Sequence, residues 1–142
     1  MKTLKTLIMI AGAFVLLAAG GLYAQARATA SIPFEFTVQN TTLPAGDYTI
    51  SPASATSHDV LAICNSETRQ KLFVMAPATN SEYKGPADKN VVLFHKIGDR
   101  YFLAEVKTDA VHGHLYQSKM ERELTLDGGP IAAVIVPALN VR

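Results

Sequence analysis

The sequence predicts an all-β fold: a single antiparallel β-sandwich or small β-barrel of about seven strands with one short helix, behind an N-terminal signal peptide. Three observations carry this expectation. Ile32, Phe34, Phe36 and Val38 alternate with Pro33, Glu35, Thr37 and Gln39, the period of a strand with one buried face. Short runs rich in Val, Ile and aromatic residues recur down the chain, separated by Gly, Pro, Asn and Asp. Helix signals are confined to one stretch after Ser118.

The first 26 residues form the first element. Lys2 and Lys5 precede an unbroken apolar and small run from Leu7 to Leu22, and no acidic residue occurs before Glu35. Ala24-Gln25-Ala26 and Ala26-Arg27-Ala28 then offer small-x-small pairs suited to a signal peptidase. This is the layout of a Sec-type signal peptide, with cleavage expected after Ala26 and with Ala24 or Ala28 as alternatives. A permanent anchor fits less well. The run from Leu7 to Leu22 reaches about 24 Å as a helix, short of the roughly 30 Å hydrocarbon core. Gly12, Gly20 and Gly21 weaken it further. No arginine pair precedes the run, and the single cysteine, Cys64, lies far from the cleavage region. The expected organisation is a signal peptide over 1–26 and one β-rich domain over 27–142, periplasmic or secreted, with no membrane span after cleavage.

In the mature chain, Ile32–Val38 is the first strand, with Pro33 suiting an edge or strand-opening position. Leu43-Pro44-Ala45-Gly46 reads as a type I turn leading into Asp47–Ser51, which Pro52 stops. Val60–Cys64 and Leu72–Ala76 are further strands around the turn-rich Asn65-Ser66-Glu67. Residues 77–90, with two prolines and a glycine, are the longest loop. Val91–Ile97 and Arg100–Lys107 flank Gly98-Asp99, a two-residue hairpin turn with positive φ expected at the glycine. Pairing Ile97 with Arg100 sets His95 opposite Phe102 and Leu93 opposite Ala104. Val91, Leu93, His95, Ile97, Phe102, Ala104 and Val106 then share one face; Val92, Phe94, Lys96, Tyr101, Leu103 and Glu105 share the other. Both are substantially apolar, so the hairpin is expected to be central, and a one-residue slip would exchange its faces. Ser118-Lys119-Met120-Glu121 fits the S-x-x-E capping box of a helix that Asp127-Gly128-Gly129-Pro130 ends. Ile131–Val136 closes the fold as a strand.

The composition sets limits. The chain has 142 residues, 13 Lys and Arg against 12 Asp and Glu, and one cysteine. One cysteine excludes an intrachain disulfide scaffold. Removing 26 of the 142 residues leaves 116, and losing Lys2 and Lys5 turns the formal charge from +1 to −1. A near-neutral chain gives no reason to expect nucleic acid as a partner.

Several segments together resemble a group of small exported bacterial proteins of uncharacterised function. They are Ile32-Pro33-Phe34-Glu35-Phe36-Thr37-Val38, Leu43–Ile50 (LPAGDYTI), Phe94–Leu103 (FHKIGDRYFL) and Ser118-Lys119-Met120-Glu121-Arg122. They span about 31–123 in the same order. The resemblance implies export and an all-β domain, and it transfers no catalytic residue.

The residues suited to carry chemistry are few. His112-Gly113-His114 sets two imidazoles on one face if the segment is a strand, and His95 or an acid such as Asp109 would complete a zinc or copper site. The plainer reading makes Gly113 a turn residue and His95 part of a core face beside Phe102. Cys64 ends an apolar strand and reads as a small hydrophobe rather than a nucleophile. Glu121 and Glu123 lie two apart on a helix and point to different sides, so they are not a paired acid and base. Glu121 is expected to be the capping partner of Ser118. Phe34, Phe36, Tyr48, Phe73, Phe94, Tyr101 and Phe102 are expected to form the core, with a ligand cavity as the alternative.

No catalytic, cofactor-binding or metal-binding residue is assigned, and no cofactor. The function expected is that of an exported, non-catalytic β-domain, a binding or interaction module in the cell envelope or outside. Its partner would be a protein or envelope component. The alternative is a barrel-type carrier of a small apolar ligand. A metal-dependent enzyme using His95, His112 and His114 ranks last.

Overall fold

The computed structural model describes residues 26–78, 80–87 and 89–141. The expected signal peptide therefore lies outside the described residues, apart from Ala26. Among these residues are ten strands and one helix: β1 (Arg27–Ile32), β2 (Phe36–Val38), β3 (Thr41–Leu43), β4 (Gly46–Pro52), β5 (Val60–Asn65), β6 (Lys71–Met75), β7 (Val91–Ile97), β8 (Arg100–Lys107), β9 (His112–His114), α1 (Lys119–Leu126) and β10 (Ile131–Val141). The strands make one sheet in the order β3-β2-β8-β7-β10-β1-β4-β5-β6, with β9 added to β8, curled into a half-barrel. The all-β expectation holds. No helix among the described residues is long and apolar enough to cross a membrane.

Ten strands replace the expected seven because three short ones carry weak sequence signals. The predicted Ile32–Val38 strand is interrupted at Pro33-Phe34-Glu35. Ile32 ends β1, while Phe36–Val38 makes a tight hairpin with Thr41–Leu43 across Gln39, whose φ is +54°. β1 then pairs with β4, Ile32 opposite Gly46. The expected hairpin across Pro44 is thus a β1–β4 pairing with the β2–β3 hairpin inserted in it. The third addition is β9, described below.

The β7–β8 hairpin turns at Gly98 with φ +62°, and sets Ile97 opposite Arg100 and His95 opposite Phe102 as its sequence predicts. Beyond Phe94–Leu103 the register shifts, so that Leu93 lies opposite Glu105 instead of Ala104. Ala104 is the extra residue of a β-bulge, and its carbonyl accepts the Leu115 N–H at 2.8 Å. The shift exchanges the faces of everything after it. Val106 joins Val92, Phe94 and Leu103 in the core, and Glu105 crosses to the face of Leu93 and His95.

Strand β10 joins the two halves of the sheet. Ile131–Pro137 pair with β7, and Ala138–Val141 pair with β1. The core fills the concave side with Ile32, Phe36, Tyr48, Ile50, Leu61, Ile63, Val74, Val92, Phe94 and Val136. Phe36 meets Tyr48 and Phe94 edge-on at 5.1 and 5.4 Å, and Phe34 stacks on Tyr101 at 3.9 Å. The Tyr48 hydroxyl donates to the Pro44 carbonyl at 2.6 Å, and burial raises its pKa. Of the seven aromatic residues expected in the core, Phe102 is buried on the opposite face, across from His95, and Phe73 is the one left exposed. It lies on the outer face of β6 and is 58% exposed, because β6 alternates and Val74 takes the inward position.

Candidate functional site

The bulge in β8 builds the most ionisable region of the molecule. Glu105, swung to the outer face, is fully buried there. Its carboxylate accepts hydrogen bonds from the Ser81 hydroxyl and from the N–H groups of Glu82 (2.9 Å) and Tyr83 (3.3 Å). These donors lie on the 77–90 loop, so the loop is tied down over the sheet by one side chain. The Lys107 ammonium, 5.2 Å above the Tyr83 ring, adds a cation–π contact.

Holding the loop there brings Glu82 to His95. The imidazole of His95 stands between two carboxylates: Nε2 is 3.0 Å from Glu82 Oε2, and Nδ1 is 2.7 Å from Glu121 Oε1. A neutral imidazole has one N–H and can satisfy only one of them, whereas the cation satisfies both. The His95 pKa is accordingly raised, first by the Glu121 hydrogen bond and further by Glu82; partial burial opposes the rise. The helix supplies Glu121 in a defined way. Ser118 caps α1, its hydroxyl oxygen accepting the Glu121 N–H at 3.1 Å. Only this half of the predicted capping box forms, because the buried Glu121 side chain turns to His95 instead of reaching back to the cap.

His112 and His114 come from β9, which corrects the reading of this segment as a turn. Gly113 serves close approach: a Cβ there would come 2.5 Å from the Ala76 carbonyl oxygen. The His114 N–H donates to the Pro77 carbonyl at 3.1 Å, so β9 also bridges the far end of the curl. His114 Nε2 lies 3.6 Å from Glu82 Oε1, and its buried Nδ1 has no hydrogen-bond partner. His112 Nε2 lies 3.4 Å from Glu105 Oε1, close enough for charge attraction but not aligned for a hydrogen bond. Three histidines and three glutamates thus meet under the loop.

The sequence flagged the histidines but not Glu82 and Glu105, whose places depend on the loop path and the bulge. Proline and turn residues marked the loop; nothing local marked its anchor. His95 was expected in a core face. It lies on the outer face beneath α1, with a side chain 13% exposed. Asp109, weighed beside His95 as a third ligand, is elsewhere, accepting from Asn140 at 3.0 Å. Among the described residues no group of three His, Cys, Asp or Glu is arranged to hold a metal ion. Cys64 is half-buried on the outer face of β5. What this cluster can do is favour the protonated form of His95 and join loop, helix and sheet through it.

A second feature lies at the junction of β1, β4 and β10. A cleft of about 560 Å³ opens there between Thr29, Ala30, Ser31, Asp47, Ser66, Pro137 and Leu139. Along β10, Ile131, Ile135, Leu139 and Val141 are 45%, 49%, 72% and 42% exposed, all on one face. Comparison of the chain with family models, with curated proteins and with solved structures finds no match.

Proposed function

We propose that the chain is an exported, non-catalytic β-domain that works by binding another polypeptide in the cell envelope or outside. The observation that carries this is the outer face of β10. Four large apolar side chains on one face of the strand stand exposed in a row, with Ala133 and Pro137 between them and no charged residue from Ile131 to Val141. A scattered exposed Leu needs no explanation, but a contiguous strip is the usual mark of an interaction surface. The histidine–carboxylate cluster supports the non-catalytic part of the reading. Glu105, His95, Glu82 and Glu121 are engaged in holding loop and helix to the sheet.

The carrier reading has a narrower basis. Phe36, Tyr48 and Phe94 pack edge-on against one another, and their rings occupy the concave side where a ligand would sit. The open cleft beside Pro137 is the place left to a small apolar molecule. The signal peptide and the periplasmic or secreted location belong to the same proposal, resting on Lys2, Lys5, the Leu7–Leu22 run and Ala24-Gln25-Ala26.

The test has two parts. The chain is produced from its full reading frame with a photo-cross-linking residue at Leu139 or, as control, at Glu67. The cells are then fractionated and the product weighed. A mature chain beginning at Arg27 outside the cytoplasm, with a polypeptide adduct from position 139 and none from 67, is the expected result. A full-length chain retained in the cytoplasm, or no adduct from 139, sinks the proposal.

A further inference from the structure

The backbone of β10 defines its occupant more closely than the side chains do. Ala138 donates its N–H to the Asn90 carbonyl at 2.9 Å, continuing the β7 ladder. Even-numbered residues of β10 therefore hydrogen-bond toward β7, and odd-numbered ones present N–H and C=O to the opposite edge. At Leu139 and Val141 that edge is taken by Thr29 and Arg27 of β1. At Ile131, Ala133 and Ile135 none of the described strands takes it.

Pro137 explains where pairing stops. Having no N–H, it cannot extend the β1 ladder past Ala30–Ala138, and the two strands part there. The result is a stretch of strand with one edge free. Ala132 and Ala133 are exposed on opposite faces beside Ile131 and Ile135, so both sides of this stretch stand in solvent.

Exposed edges usually carry a charge, a proline or very short length, which keeps other strands away. The other free edges of the described sheet follow that rule: β3 has three residues, and β6 begins with the exposed Lys71. Ile131–Val136, with the sequence IAAVIV, has neither charge nor proline. An extended strand is the occupant whose donors and acceptors match such an edge.

We propose that the free edge of Ile131–Ile135 pairs antiparallel with the same edge of a second copy of this chain, about a two-fold axis at Ala133. This rests on the interaction-module reading and names its partner. In that register Ile131 meets Ile135 of the second copy, Ala133 meets Ala133, and the smallest side chain lies on the axis. The segment suits pairing with itself because it is uncharged and sets isoleucine against isoleucine on either side of the central alanine. Each copy uses its one such edge, so the pairing closes as a dimer and does not propagate. Five residues of strand bury well under the ~800 Å² per partner of a standard interface, so the dimer is a weak, reversible one.

The experiment is sedimentation equilibrium on the chain purified after expression from its full reading frame, with cysteine cross-linking. The parent is expected to show a monomer–dimer equilibrium. Ile135→Lys and Ala133→Pro should each weaken it at least about tenfold without altering circular dichroism or the melting temperature. Proline at 133 removes an N–H that no bond within the monomer uses. In a Cys64→Ser background, Ala133→Cys should give a covalent dimer under oxidation where Glu67→Cys does not.

A parent that stays monomeric to about 1 mM, or equal cross-linking from 67 and 133, overturns the proposal. An adduct of Ala133→Cys with a different protein also overturns self-pairing while leaving the interaction reading standing. Absence of any adduct from both 133 and 139 removes the two together.

Discussion

Glu105 shows how much one residue can organise. Its burial without exposure is tolerable because its oxygens accept from Ser81, Glu82 and Tyr83, replacing the water lost. Removing the acceptor leaves the loop amides without partners, at a cost of about 1–3 kcal/mol. Glu105→Ala is therefore expected to lose that much stability in urea unfolding and to be cut faster by protease within 77–90. Glu105→Gln keeps one acceptor oxygen and should lose less. Cleavage of the Ala variant at the parent's rate would show that the carboxylate does not hold the loop. Gly113 is constrained more tightly still, since the Ala76 carbonyl occupies the space of any side chain.

Loop, helix and sheet meet at the His95 clamp. Its pKa is raised, with the Glu121 hydrogen bond as the first cause and Glu82 adding to it. The folded state therefore binds this proton more tightly than the unfolded chain does. The clamp's contribution is fully present below the unfolded value of about 6.5 and is lost as pH rises through the raised folded value. His114, leaning on Glu82 from β9, and the buried Glu121 carboxylate are the groups that share this charge balance. Melting temperature followed against pH in the parent and in His95→Asn isolates the effect. The parent should lose stability above about pH 6.5 by an increment that the variant lacks. Parallel curves would mean that His95 binds no extra proton on folding.

At the scale of the whole molecule, the distinction that matters is between the concave and convex sides of the curl. Phe94 packs against Phe34 and Phe36 at 5.0 and 5.4 Å within the concave core, while Phe73 stands on the convex side, 58% exposed. Phe94→Ala is expected to cost about 3–5 kcal/mol, and Phe73→Ala within about 0.5 kcal/mol of nothing. Chemical denaturation of both variants checks this, and equal losses would contradict the assignment of faces. The same convex side carries the apolar row of β10, so a substitution there should affect association far more than folding.

The pattern of residues by itself determined the all-β class, the Gly98-Asp99 hairpin and its first four pairs, the Ser118 cap and the closing strand. Each rests on signals within a few positions: period-two alternation, a glycine with positive φ, a hydroxyl three residues before an amide. Tertiary structure decided the rest. The bulge at Ala104 moved Glu105 out of the core and Val106 into it, because a strand's side chains change face with every single-residue shift. Gly113 became a strand residue because it pairs with Val106 of β8, and the backbone of Ala76 leaves no room there for a side chain. Pro137, whose meaning in isolation is to end a strand, instead marks where β10 leaves β1, for the strand continues to Val141 with its ladder passed from one partner to another. Which edge of which strand is left free is a property of pairing between distant segments, and no local stretch of sequence carries it.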